Sequence, residues 1–249
     1  MPPRPLVIQV INPNTSEAMT ATIAAAARVV AAPGNEILAV CPQEGAPSIE
    51  GHFDEAVAAL GVLEQVRLGR EAGVDGHIIA CFGDPGLLAA RELARAPVIG
   101  IAEAAMHFAT LVATRFSIVT TLPRTLVIAR HLLHQYGFER HCAGLHAIDL
   151  PVLALEDGSG VAQEKVRAQC IQAIERDGSG AVVLGCGGMA DLARQLTHEL
   201  GVPVIDGVSA AVKMIEALAA LGLRTSKQGD LAYPLAKPLS GRFAGLNER

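Results

Sequence analysis

Residues Ile78–Gly86 read IIACFGDPG, and residues Val182–Asp191 read VVLGCGGMAD. Each is an apolar run that stops at a cysteine and passes through glycines into a helical pattern. A run with no polar alternation is a strand buried on both faces, as in a parallel sheet between helix layers. Two strands ending alike mean that one unit of the fold occurs twice.

Strand-like runs extend outward from this pair at Leu6–Ile11, Glu36–Cys41, His77–Cys81, Pro97–Ile101, Phe116–Thr120, Gly144–Asp149, Ala181–Gly185 and Pro203–Asp206. Segments such as Ser16–Ala31, Phe53–Ala72 and Val161–Asp177 carry apolar residues at helical spacing between them. Such alternation predicts βαβ units, parallel sheets and functional residues at the carboxyl ends of strands. APVIGI and VPVIDG each open on Pro and follow a Cys-ended strand by one helix, so the repeat extends beyond the cysteines. The expected fold is α/β, with two similar lobes, each a parallel sheet flanked by helices. Residues 1–100 form the first lobe, which a helix within 208–225 rejoins. Residues 101–207 form the second, and 226–249 an irregular tail.

The chain has 249 residues, enough for a substantial core, and 51% of them are hydrophobic with no Trp. A formal charge of −5 argues against nucleic-acid or anionic-membrane partners, which need a basic face. No apolar run reaches the roughly 18 residues of a membrane span, and MPPRPLVIQVINPNTS enters a strand without a signal-peptide pattern. The expectation is a soluble cytoplasmic protein. The five cysteines, Cys41, Cys81, Cys142, Cys170 and Cys186, are odd in number and widely spaced, which argues against a disulfide framework. Cys41, Cys142 and Cys170 read as small buried hydrophobes. Eight histidines show no metal-ligand spacing, and His131 and His134 read as neighbours on an exposed helix face. No metal is expected.

Four stretches can carry chemistry. In VINPNTS a strand ends at Asn12-Pro13; Asn14, Thr15 or Ser16 either caps the next helix or joins a ring of polar groups around a small ligand. Cys81 stands at a strand end, where a following helix dipole would lower its pKa below the ~8.5 of a free thiol. Asp84-Pro85 reads as the cap and first residue of that helix. Phe82 walls a pocket or packs in the core. Thr120 and Thr121 end a strand in FSIVTTLPR, on the ligand-facing rim or in an ordinary turn. In SIEGHFDEA, Ile49 and Glu50 reach a ligand, or Glu50 caps. Gly185-x-Gly187-x-x-Ala190 also fits a dinucleotide fingerprint, with Asp206 ending the next strand. That reading implies an NAD(P)-dependent oxidoreductase, but it leaves Cys81 unexplained. A non-catalytic small-ligand binding protein is a further alternative.

Together INPNTS, ACFGDPG, VTTLPR and LGCGGMADL resemble the hydantoin racemase branch of the aspartate/glutamate racemase superfamily. The resemblance implies pseudo-twofold lobes with the site at their interface, catalysis without a cofactor, and homo-oligomers. By matching motif, Cys81 and Cys186 are the acid/base pair. Asn14, Ile49, Phe82, Gly83, Thr120, Thr121, Gly187 and Gly188 are the expected substrate contacts. The implied substrate is a small 5-substituted hydantoin, allantoin (5-ureidohydantoin) first and amino-acid-derived hydantoins as the alternative.

Two cysteines also make chemical sense. Inverting a carbon beside a carbonyl means removing a proton from one face and returning one to the other. A single residue cannot reach both faces of a planar enolate, so a thiolate and a thiol are needed. Backbone N–H groups at Phe82–Gly83 or Gly187–Gly188 are candidates to hold the developing oxyanion.

Overall fold

All eight strand-like runs form strands in a computed structural model that describes residues 4–246. The first half of the chain runs β1 (Val7–Ile11), α1 (Glu17–Val30), β2 (Glu36–Val40), α2 (His52–Glu71), β3 (Gly76–Ile79), α3 (Leu87–Leu93), β4 (Val98–Gly100) and α4 (Ile101–Val112). The second runs β5 (Phe116–Thr120), α5 (Leu126–Tyr136), β6 (Cys142–Ala147), α6 (Val161–Asp177), β7 (Ala181–Leu184), α7 (Ala193–Leu200), β8 (Val204–Asp206) and α8 (Gly207–Ala220). Short 3-10 turns intervene, among them Pro123–Thr125, Val152–Glu156 and Gly187–Leu192.

The strands form two parallel sheets of four, ordered β2-β1-β3-β4 and β6-β5-β7-β8. The second repeats the first, element for element. In each, the chain leaves the first strand toward one edge and the third toward the other. That makes a topological switch point between them, where open α/β sheets bind ligands at the carboxyl ends of their strands. Asn12–Asn14 and Cys81 follow β1 and β3; Thr121 and Cys186 follow β5 and β7.

Neighbouring residues of a strand feed different layers, which explains the unbroken apolar runs. Ile78 packs with Ile8, Val10 and the α1 and α8 side chains, whereas Ile79 packs with Ile11, Val62 and Val66 on the other face. In β7, Val183 joins the cluster around Phe116 and Met106, while Val182 and Leu184 join that around Val166 and Leu196. Helix α8 returns to the first sheet, where the Glu216 carboxylate accepts from the Ala32 amide and the Asn35 side chain. Its start crosses α4 so closely that a Cβ at Gly207 would overlap the Ile101 carbonyl.

Asp84 does not cap the helix that follows it. Helix α3 begins after Gly86, which has φ +72°, and Asp84 itself sits at φ +45°. Its buried carboxylate accepts from the Ala102 and Glu103 amides, capping α4 from a distance. The Asp-Pro pair is a turn whose side chain serves another element. Cys41 and Cys142 are half-buried rather than core residues, while Cys170 is fully buried. All five cysteines are free.

Within the tail, Lys227 Nζ donates to the Arg91 and Glu92 carbonyls, and short 3-10 turns form at Gly229–Leu231 and Gly241–Leu246. Tail residues 247–249 lie outside the described residues. No helix among the described residues is long and apolar enough to cross a membrane.

Candidate active site

Cys81 and Cys186 line one cavity at the carboxyl ends of both sheets. The turns that hold them are alike. Ala80 donates to the Ile11 carbonyl and Gly185 to the Val119 carbonyl, so each cysteine follows the last ladder bond of the third strand. The Cys81 carbonyl then accepts from the Asp84 amide at 3.0 Å, and the Cys186 carbonyl from the Met189 amide at 3.1 Å. Each turn aims the amide two residues on, Gly83 or Gly188, at the cysteine sulfur. Two apolar strands stop at a thiol because each delivers it to the same space from its own sheet.

The amides do not make the thiols acidic. Burial pushes the Cys186 thiol up to about 11, and the nearby carboxylates of Glu156 and Glu50 push the same way. Burial pushes Cys81 still higher, with Cys186, Glu55 and Asp84 adding to it, and the Gly83 amide offsets only part. This reverses the expected helix-dipole effect. Helix α3 starts six residues beyond Cys81, Cys186 is followed by a 3-10 turn, and the surrounding charge is acidic rather than basic. A dipole acts strongly only within the first turn of a helix, and desolvation outweighs it here.

Of the expected contacts, Asn14, Ile49, Phe82, Gly83, Thr120, Thr121 and Gly187 line this cavity. Gly188 does not; it lies behind Cys186, where a Cβ would meet Leu155, Met19 and the Cys186 sulfur. Phe82 is both pocket wall and core, packed with Met106 and Ile128. Asn14 Oδ1 accepts from Asn12 Nδ2 and the Ser16 amide, while its Nδ2 faces only the Met19 sulfur, leaving a donor for a ligand carbonyl. The Thr120 hydroxyl donates to the Gly185 carbonyl at 2.9 Å and ties the ends of β5 and β7. Among the described residues no group hydrogen-bonds the Thr121 hydroxyl, so it is the one left for a ligand. Glu50 is a cap: its Oε1 accepts from the Val152 amide at 2.8 Å and joins the loops of the two lobes beside the cavity.

The dinucleotide fingerprint has a different use. A Cβ at Gly187 would stand 2.7 Å from the Ala80 carbonyl oxygen, so this glycine lets the two cysteine turns approach. A Cβ at Gly185 would press on Thr120. Asp206, the would-be ribose ligand, caps α8 by accepting from the Ser209 amide at 2.7 Å. The motif serves packing at a lobe contact, and its acid is already engaged.

Several cavity residues escaped the sequence reading. Met19, Ile128 and Val152 supply apolar walls, and their pattern is that of ordinary helix or turn residues. Glu55 is the notable one, because it makes the rim acidic where only neutral partners were expected. In the sequence it reads as an acid in the first turn of α2, where acids favour the helix anyway. His131 stacks on His52 beside it with ring centroids 6.0 Å apart, while His134 pairs with Glu139 on the surface.

Comparison with known proteins finds relatives that match over nearly the whole chain. The family model described as Asp/Glu/Hydantoin racemase matches residues 8–215. The chain is 47% identical to the hydantoin racemase of Rhizobium meliloti over 94% of its own length and 97% of the relative's. Among solved structures, allantoin racemase from Klebsiella pneumoniae superposes with a TM-score of 0.96 at 80% identity, covering 97% of this chain and 99% of that one. Allantoin racemase from Pseudomonas fluorescens follows with a TM-score of 0.88 at 40% identity, covering 95% and 100%.

Proposed function

The chain belongs to the Asp/Glu/hydantoin racemase family, and from that premise we propose that it racemises allantoin at C5, with Cys81 and Cys186 as the acid/base pair. The observation that carries this reading is the delivery of two thiols, by equivalent turns of two repeated sheets, to one cavity. The identity of 80% to an allantoin racemase supports the choice of substrate. Racemisation of amino-acid-derived hydantoins is the second reading, supported by the 47% identity to a hydantoin racemase.

In one direction a cysteine thiolate takes the C5 proton and becomes a thiol. The electron pair left at C5 spreads onto the neighbouring carbonyl oxygen. The opposite thiol then protonates the other face of C5 and becomes the thiolate, so the pair exchanges roles with each turnover. A thiol made less acidic by burial is, once ionised, a stronger base toward a weakly acidic carbon. With the Gly83 and Gly188 amides directed at the sulfurs, the Phe82 and Gly187 amides are the donors left for the enolate oxygen. The Asn14 amide and Thr121 hydroxyl suit the neutral ring N–H and C=O groups. No cofactor enters this reaction.

The same reading divides the chain into lobes at 1–100 with 208–225, and 101–207, followed by the tail. It places a homo-oligomer in the cytoplasm, where free thiols persist.

The test is loss of optical rotation from each pure allantoin enantiomer, above the uncatalysed rate, run beside 5-benzyl and 5-isopropyl hydantoins. Turnover of allantoin from both enantiomers supports the proposal. No acceleration with any of the three would refute it.

A further inference from the structure

Glu55 is the only carboxylate among the described residues lining the cavity, and the proton transfers above do not use it. Its position depends on the cysteine turn: a Cβ at Gly83 would overlap Glu55 Oε1, so the carboxylate fills the space that a side chain there would take. The other oxygen, Oε2, faces His52 Nδ1 at 3.3 Å, toward solvent. His52, from the start of α2, is stacked in turn on His131 of α5. One oxygen is therefore held at the mouth, and Oε1 is left beside Cys81 and Gly83 without a hydrogen bond from any described residue.

The same cavity has apolar walls in Ile49, Phe82, Ile128 and Val152, and its other polar side chains, from Asn and Thr, are uncharged. A ring carrying an alkyl group at C5 would bring only carbon to Oε1 and strip its water without replacement. A ureido substituent brings N–H donors on a short, flat arm. Leaving a buried carboxylate oxygen unpaired is costly, and a hydrogen bond to a charged acceptor is among the stronger kinds. Burial already pushes the Glu55 carboxyl up, partly offset by His52 and His131, so a donor that replaces water there is favoured.

We propose that Glu55 selects the C5 substituent, accepting the ureido N–H groups of allantoin on Oε1 and disfavouring hydantoins whose substituent is alkyl. This rests on the racemase reading and names the residue that would set its preference.

The experiment measures kcat/KM for allantoin and for 5-isopropylhydantoin in the unaltered protein, Glu55→Leu and Glu55→Gln. The ratio of the two values should fall about 10–100-fold in Glu55→Leu. It should fall less in Glu55→Gln, which keeps an acceptor oxygen and serves as the folded control should Glu55→Leu misfold. An unchanged ratio in both variants would overturn the proposal, even if both rates dropped together, because Glu55 would then act on the chemistry and not on the substituent. Failure of the unaltered protein to racemise either hydantoin would instead remove the racemase reading beneath it.

Discussion

Asp84 and Tyr136 join the two halves of the molecule: the tyrosine hydroxyl on α5 donates to Asp84 Oδ2 at 2.8 Å, three residues past Cys81. The same carboxylate caps α4, so one buried side chain fixes the cysteine turn to two helices at once. Tyr136→Phe should lower stability by about 1.5–3 kcal/mol in denaturant unfolding, since it takes a donor from a buried carboxylate. A loss within error of zero would mean the bond contributes nothing net.

Asp84 also predicts a pH dependence. Burial pushes its carboxyl from the ordinary 3.8 up to about 7, against the pull of the Ala102 and Glu103 amides and Tyr136. Across that interval the folded protein holds a proton that the unfolded chain has released. The contribution of this group therefore favours folding less as pH rises, and the loss is complete above about 7. Urea midpoints between pH 4.5 and 7.5 should show a downward component that Asp84→Asn removes. Equal slopes in the two proteins would contradict it.

The two glycines after Cys186 should behave differently. Alanine at 187 would press its Cβ to 2.7 Å from the Ala80 backbone oxygen, across the contact between cysteine turns. Alanine at 188 would meet the ends of Leu155 and Met19 at 3.1 and 3.3 Å, and both side chains can shift. Gly187→Ala should cost about 1–3 kcal/mol and most of the racemase activity. Gly188→Ala should stay within about 0.5 kcal/mol of the parent and keep its activity. Thermal unfolding and a polarimetric assay decide between them, and equal damage from both would contradict this packing.

The thiol environment sets the rate profile. Burial pushes Cys186 up to about 11 and Cys81 higher, so the reactive thiolate is a minor species in the free enzyme at neutral pH. After subtraction of the uncatalysed reaction, kcat/KM for allantoin should climb up to about tenfold per pH unit from 7 to 9. A plateau reached by pH 8 would show that binding groups lower the thiol pKa more than burial raises it.

The layered α/β architecture was legible because buried parallel strands need apolar residues on both faces: Ile78 and Ile79 enter separate cores, and the run announces it. The paired thiols were legible because a repeated sheet makes Cys81 and Cys186 end equivalent strands. What stayed hidden depends on contacts distant in sequence. Asp84 looks like a local cap, yet its partners lie at Ala102, Glu103 and Tyr136. Glu55 looks like a helix-start acid, and only folding brings it to Gly83. The direction of the thiol shifts was hidden for the same reason, because local spacing suggests a dipole while desolvation arises from the whole fold.

The two-thiol mechanism is tested most directly by solvent exchange in single variants. In Cys81→Ser and Cys186→Ser, the remaining cysteine still faces one side of C5, and serine is far too weak an acid/base near neutrality to serve the other. Each variant, given each allantoin enantiomer in D₂O, is followed by NMR for C5–H exchange and by polarimetry for inversion. Racemisation should fall by orders of magnitude in both, while exchange with retention persists for one enantiomer in one variant and for the opposite enantiomer in the other. Near-parental racemisation by either variant would contradict the assignment of Cys81 and Cys186 to opposite faces of the reacting carbon.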